Sequence, residues 1–374
     1  MSWQVAYLLG IATAALIFAY LKAKERISRK TPDRNKTPDG QRTSSNSIEY
    51  ELAMGPFIVA LGGGTGLSTL LRGLKSFTRN ITAIVTVTDE GGSSGRLKQE
   101  WGVLPPGDVR NCIVALAEND NALKRLLDFR FDRGELQGHS LGNLMLLAVT
   151  ELHGDFRTGV EEMNNLLAIR GRVLPVTTEV VSLVGEEKDG RVVRGEIEIS
   201  TRGRFLQDIR LEPADAKPLP EVVRALSDAD MIVLGPGSLF TSIIPNLLVP
   251  HVSRKIRESR GPVVYVANLM TQPNETEGMS LLDHVQWISK ILGKWPVYVI
   301  VNDSTIEEPL LGKYRSEGAV PLYLSSEDEM FLQNQNCRVF RGHYVRIHEG
   351  VLIRHDGLAL SETLMRIQRY SRDD

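Results

Sequence analysis

The sequence predicts an α/β fold: a parallel sheet with helices on both faces and one antiparallel hairpin insertion. Three observations lead there. Short runs of apolar and β-branched residues recur at 57–61, 81–87, 231–234, 263–267 and 297–301. Glycine-rich loops leave two of them, at 62–66 and 235–238. Helical patterns fill most of the stretches between, and repeated strand–loop–helix units of this kind build a parallel sheet covered on both sides.

The chain opens differently. Residues 5–21 carry no charge, and roughly 17 helical residues at about 1.5 Å each reach about 26 Å, enough for a bilayer core. Trp3 and Tyr20 flank the run, and Lys22, Lys24, Arg26, Arg29 and Lys30 follow it with no basic residue before it. By the positive-inside rule, 1–30 reads as a single-pass anchor in the inner (cytoplasmic) membrane, with everything downstream in the cytoplasm. Residues 31–49, rich in Pro, Asp, Ser and Thr, read as a flexible linker. The folded domain is expected over 50–374.

Within it, the run at 57–61 leads through Gly62, Gly63, Gly64, Thr65 and Gly66 into a helix at 67–77. The second strand, 81–87, ends at Thr88 and Asp89. Apolar spacing predicts helices over 108–116 and 121–129, and another after His139, Ser140 and Asn143. A short strand at 173–175 precedes alternating segments at 180–183 and 192–199 around a Lys188-Asp189-Gly190 turn, a hairpin signal that places the insertion at about 176–205. The strand at 231–234 runs into Gly235, Pro236, Gly237 and Ser238, and two further strands follow.

Bulk properties narrow the function. A net charge of −2 leaves no basic footprint for nucleic acid. Two distant cysteines, Cys112 and Cys337, make neither a disulfide framework nor a metal spacing. No Gly-x-Ser-x-Gly elbow accompanies His139, so a hydrolase triad is unsupported.

The loops carry the chemistry. A glycine-rich turn between a strand and a helix lets backbone N–H groups approach an anion, and the helix dipole favours negative charge there. Residues 62–66 match that pattern, but lack the third glycine of a dinucleotide fingerprint and the Lys-Ser/Thr of a P-loop. Asp89 holds the position where dinucleotide folds place an acid for ribose hydroxyls. Gly91, Gly92, Ser93 and Arg96 follow it, the arginine able to grip phosphate. Asp108 reads as a helix N-cap or a ligand contact, with Asn111 one turn further on. His139 reads as a ligand contact or as a buried, hydrogen-bonded side chain. Gly235, Gly237 and Ser238, with Thr241 and Ser242, form a second anion cradle, although Ser238 could simply cap a helix. Asn268, Met270 and Thr271 leave another strand as a polar loop.

Taken in order, six segments resemble the bacterial gluconeogenesis factor family (YvcK-like proteins), relatives of the 2-phospholactate transferases. They begin at Leu61, Val87, Pro105, Gly138, Gly235 and Asn268, and the likeness spans Phe57 to the carboxyl end. Glu90 stands where the family run has a second aspartate. The resemblance implies a Rossmann-like fold and binding of UDP-sugars such as UDP-N-acetylglucosamine. It also implies a role in cell shape and peptidoglycan precursor supply on gluconeogenic carbon sources, with no catalytic activity established for that branch. The transferase branch implies instead a magnesium-dependent transfer from a nucleotide-activated donor, with Asp89 and Asp108 placing Mg²⁺. An NAD-dependent oxidoreductase is the third reading, and no hydride-relay pair supports it. A homodimer and regulatory protein partners stay open.

Overall fold

The computed structural model describes Ser47 and residues 49–118 and 122–373. The chain divides into two compact units, 1–50 and 51–374. Of the first, only Ser47, Glu49 and Tyr50 are described, and they are helical.

The second unit is built on a seven-stranded sheet. Its first half comprises β1 (Ile58–Gly62), β2 (Ile81–Val85) and β3 (Arg172–Pro175). Three strands then form a separate antiparallel sheet: β4 (Ser182–Glu187), β5 (Val192–Arg194) and β6 (Leu206–Glu212). The main sheet resumes with β7 (Met231–Leu234), β8 (Val263–Val266), β9 (Tyr298–Asn302) and β10 (Arg338–Gly342). A closing hairpin pairs β11 (Val345–His348) with β12 (Leu352–His355).

Every neighbouring pair of the main sheet is parallel. The spatial order is β10-β9-β8-β7-β1-β2-β3. The chain therefore builds outward from β1 in one direction, returns, and builds outward from β7 in the other. That is the doubly wound order of dinucleotide-type sheets, with its reversal between β1 and β7. Strands β1, β2, β7, β8 and β9 are buried at every position, which is why they read as continuous apolar runs rather than alternations.

Helices cover both faces: α1 (Gly64–Leu74), α2 (Gly92–Trp101), α3 (Gly107–Leu116), α4 (Ala122–Asp128), α5 (Leu141–His153) and α6 (Phe156–Leu166) come before the insertion. The insertion holds α7 (Glu196–Arg202), and α8 (Pro220–Asp228), α9 (Ile244–Leu248), α10 (Val252–Glu258) and α11 (Leu281–Leu292) follow it. The chain ends with α12 (Glu308–Ser316), α13 (Ser326–Asn334) and α14 (Gly357–Asp373). α1 packs between α3 and α14. At Gly73 a Cβ would overlap the Gly357 carbonyl, so only glycine permits that approach.

Two local expectations change. The strand expected over 192–199 stops at Arg194, and 196–202 is helical. The Glu196 N–H donates to Glu90 Oε2 at 2.9 Å, so a side chain from another loop supplies the new helix with an acceptor at its start. The helix after β1 starts within the glycine loop, at Gly64, rather than after it.

The membrane placement is corrected. Among the described residues no helix is long and apolar enough to cross a membrane, and the apolar run at 5–21 lies outside the described residues. A single-pass anchor therefore has no structural support.

Candidate functional site

The topology brings the two glycine loops together. Residues 62–66 leave β1 and 235–238 leave β7, adjacent strands on either side of the reversal. A Cβ at Gly66 would overlap the Pro236 carbonyl oxygen, and one at Gly63 would overlap Asp108 Oδ2. Gly64 (φ 62°) and Gly235 (φ 79°) sit in the left-handed region that L side chains resist. Beneath them Asn246, fully buried, donates to the carbonyls of Gly62 (3.1 Å) and Ser242 (2.7 Å), tying the two loops from below.

A cleft of about 390 Å³ opens above. One wall is Gly63, Gly64, Thr65, Gly66 and Thr69; the second is Pro236, Gly237, Ser238 and Ser242. The loop after β8 supplies Asn268, Met270, Thr271 and Gln272, and Asn268 Oδ1 takes the Gly237 N–H at 3.3 Å. Tyr314 and Glu317 close the far side with Ile353, Arg354 and His355. Among the described residues lining the cleft, exposed Arg354 is the one arginine or lysine. His355 donates through Nε2 to the Ala267 carbonyl at 3.1 Å, and burial pushes its pKa down to about 4, so it is neutral at physiological pH.

The predicted residues divide between two places. Gly63, Gly64, Thr65, Gly66, Gly237, Ser238, Ser242, Asn268, Met270 and Thr271 line the cleft. Gly62 and Gly235 sit at the strand ends below it, and Thr241 lies buried in the π-helical turn Leu239–Ile243. The rest assemble on the other side of the first loop. Ser93 Oγ bonds His139 Nδ1 at 3.0 Å and accepts from Asn143 Nδ2 at 3.0 Å. Ser140 caps α5 by accepting the Asn143 N–H, and buried Arg110 reaches Asn143 and Asp128. His139 is 5 % exposed. It is a buried, hydrogen-bonded histidine, one of the two alternatives open from the sequence. Gly91 N–H donates to Asp89 Oδ1, Arg96 donates to the Gln137 carbonyl, and Asn111 is half-buried outside the cleft lining. Gly92 begins α2.

The capping readings of Asp108 and Ser238 fail. Asp108 lies inside α3, whose N-cap is Pro106, and its carboxylate packs against Gly63 of the first glycine loop. Ser238 makes no cap bond to the π turn. Burial, then the neighbouring Asp89 charge, pushes the Asp108 pKa up from 3.8 to about 7. Its folded pKa lies above the unfolded one, so its contribution to stability declines as pH rises from about 4 to about 7. Asp108→Asn keeps the shape of the side chain and removes the charge. The variant should come close to wild type in denaturant titrations near pH 4 and exceed it near pH 8, by on the order of 2–4 kcal/mol. Equal differences at both pH values would contradict this.

Sequence reading missed Thr69, Gln272, Tyr314, Glu317, Ile353, Arg354 and His355. Gln272 stood within the polar loop already singled out. Arg354 and His355 carry no local signal, because a hairpin far along the chain delivers them.

Fold and cleft together define a doubly wound α/β protein with a candidate cleft at the strand-order reversal. Comparison with known proteins gives the family. The family model of 2-phospho-L-lactate transferase CofD matches residues 58–345. The chain is 44 % identical over 303 residues to the gluconeogenesis factor of Bacillus subtilis, spanning 80 % of this chain and 94 % of that one. It is likewise 44 % identical over 310 residues to the gluconeogenesis factor of Halalkalibacterium halodurans, covering 82 % and 95 %. A crystal structure of a Bacillus halodurans protein superposes with a TM-score of 0.80 at 43 % identity, over 83 % of this chain and 99 % of that one. The chain belongs to the CofD family, in its gluconeogenesis-factor (YvcK-like) branch.

Proposed function

We propose that this protein is a regulatory gluconeogenesis factor whose domain, from about residue 50 to the carboxyl end, binds a UDP-sugar of the UDP-N-acetylglucosamine kind. It would match peptidoglycan precursor supply, and hence cell shape, to growth on gluconeogenic carbon sources. The observation that carries the reading is the convergence of two glycine loops at the sheet reversal, in a cleft that Arg354 also lines. Backbone N–H groups at a helix start favour a diphosphate, and ligands of open α/β sheets bind at the carboxyl ends of strands. The polar walls from Asn268 to Gln272 and the Tyr314 ring suit a sugar and a base.

A second reading, a magnesium-dependent transferase, is favoured by the CofD match, by Asp108 beside Gly63 and by Asp89 beside Gly107, the residue before Asp108. Among the described residues no group of three or more acidic, histidine or cysteine side chains could hold a metal. Two carboxylates can still seat Mg²⁺ when phosphates supply further oxygens. A bound magnesium would offset charge on those phosphates. This chain's own part would be to place the two carboxylates beside the loop.

Calorimetric titration of the full chain with UDP-N-acetylglucosamine, with and without magnesium and followed by product analysis, separates the two. Saturable binding without turnover supports the regulator, turnover supports the transferase, and no binding to any UDP-sugar overturns the first reading.

A further inference from the structure

The cleft occupies the carboxyl ends of the strands. A second hollow, of about 480 Å³, opens at the opposite end of the sheet, where the neighbouring strands β8, β9 and β10 begin. Each connection entering one of these strands adds one cation to its lining. Arg260 stands ahead of β8, Lys294 stands ahead of β9, and Arg338 is the first residue of β10. Among the described residues that line the hollow there is no aspartate or glutamate.

Backbone contacts fix these three connections side by side. The Val297 N–H donates to the Val263 carbonyl and the Arg338 N–H to the Val297 carbonyl, both at 2.9 Å. Ahead of β8, a Cβ at Gly261 would overlap the Asp230 backbone, and the Gly261 N–H donates to Ser259 Oγ at 3.2 Å. The turn that carries Arg260 is thus pinned against the neighbouring connection.

The helices α10 and α11 end beside the hollow, and cations at helix ends commonly serve the last carbonyls. Arg257 fills that role, its Nη1 donating to the Leu292 carbonyl at 2.7 Å. Lys294 Nζ reaches the Arg257 carbonyl only at 3.4 Å, and Arg260 makes no hydrogen bond or ion pair among the described residues. The acids closest in the chain are engaged: Glu258 with Lys255 at 2.8 Å, and Asp230 with the Phe57 N–H at 2.8 Å. Lys294 is half-buried, and burial lowers its pKa with no neighbouring acid to oppose the shift. A charge withdrawn from water without a counter-ion is costly, and an arriving anion offsets that cost.

Two guanidiniums and an ammonium carry more charge than one carboxylate neutralises, and the planar guanidinium fork matches phosphate oxygens. We propose that this hollow binds the phosphate group of a small phosphorylated metabolite through Arg260, Lys294 and Arg338, with Gln333 and Asn336 completing its polar lining. The site is separate from the cleft and does not depend on which ligand the cleft takes.

The test is calorimetric titration of the full chain with inorganic pyrophosphate, at an ionic strength held constant with potassium chloride. Wild type should bind saturably. Arg260→Ala and Lys294→Met should each weaken that binding about tenfold, the worth of one charge-assisted bond. Arg354→Ala, a change in the cleft, should leave it as in wild type. Without ligand, Lys294→Met should unfold in urea at or above the wild-type midpoint, because it keeps the apolar stem and removes an uncompensated charge. A lower midpoint would show that the ammonium is already compensated and would contradict the charge argument. No saturable binding by wild type, or wild-type affinity in both Arg260→Ala and Lys294→Met, overturns the proposal. Binding lost in Arg354→Ala but kept in the other two would place the anion in the cleft, and overturns it as well.

Discussion

Gly66→Val is expected to abolish UDP-sugar binding while leaving a folded, less stable protein. The new side chain would enter the space of the Pro236 carbonyl oxygen and approach Gly237 Cα. Both are backbone, so neither can rotate away. Relief requires α1 and the loop after β7 to separate, which widens the gap proposed to hold the diphosphate. Overpacking of this kind costs about 1–3 kcal/mol in stability. Binding should suffer more, because a misplacement of about 1 Å defeats several short backbone hydrogen bonds at once; a loss of at least about 100-fold is expected. Calorimetry for binding and urea denaturation for stability read the two effects separately. Wild-type affinity in Gly66→Val would show that the ligand does not lie between the two loops.

Arg354→Ala is the second large effect. Arg354 sits on β12, and no other arginine or lysine is among the described residues of the cleft. Its guanidinium can offer paired donors to a phosphate, which a lysine point charge would match poorly. Removal should weaken UDP-sugar binding by about 10- to 100-fold, the worth of a charge-assisted bond of about 1.5–3 kcal/mol. The salt dependence of affinity should fall with it, because exposed charge pairs are screened. Stability should hardly change, since the side chain is exposed. A variant whose affinity and salt dependence both equal wild type would place the phosphates elsewhere.

These effects also mark what was legible in the sequence. The sheet was, because each buried parallel strand is an apolar run ending in a loop with small residues, and 58–62 and 231–234 stand out on that pattern alone. The glycine cradles were legible for the same reason. The alternation at 192–199 misled: Ile197 and Ile199 suit a strand, but Glu90, distant in sequence, holds the Glu196 N–H and turns the segment into α7. Asp108 and Ser238 looked like helix caps because capping is a local rule, whereas their actual neighbours, Gly63 and Gln272, come from other loops. Arg354 was invisible, since only the packing of the β11–β12 hairpin against α1 carries it to the cleft. Nor could the burial of Glu275, which accepts the Phe240 N–H at 2.9 Å, be read, because a polar loop gives no sign of which acid is desolvated.

Determining the structure of the full chain bound to UDP-N-acetylglucosamine tests the central claim most directly. The diphosphate should lie between Gly63–Gly66 and Gly237–Ser238, with backbone N–H groups on its oxygens and Arg354 opposite. A nucleotide bound anywhere outside that cleft would contradict the assignment.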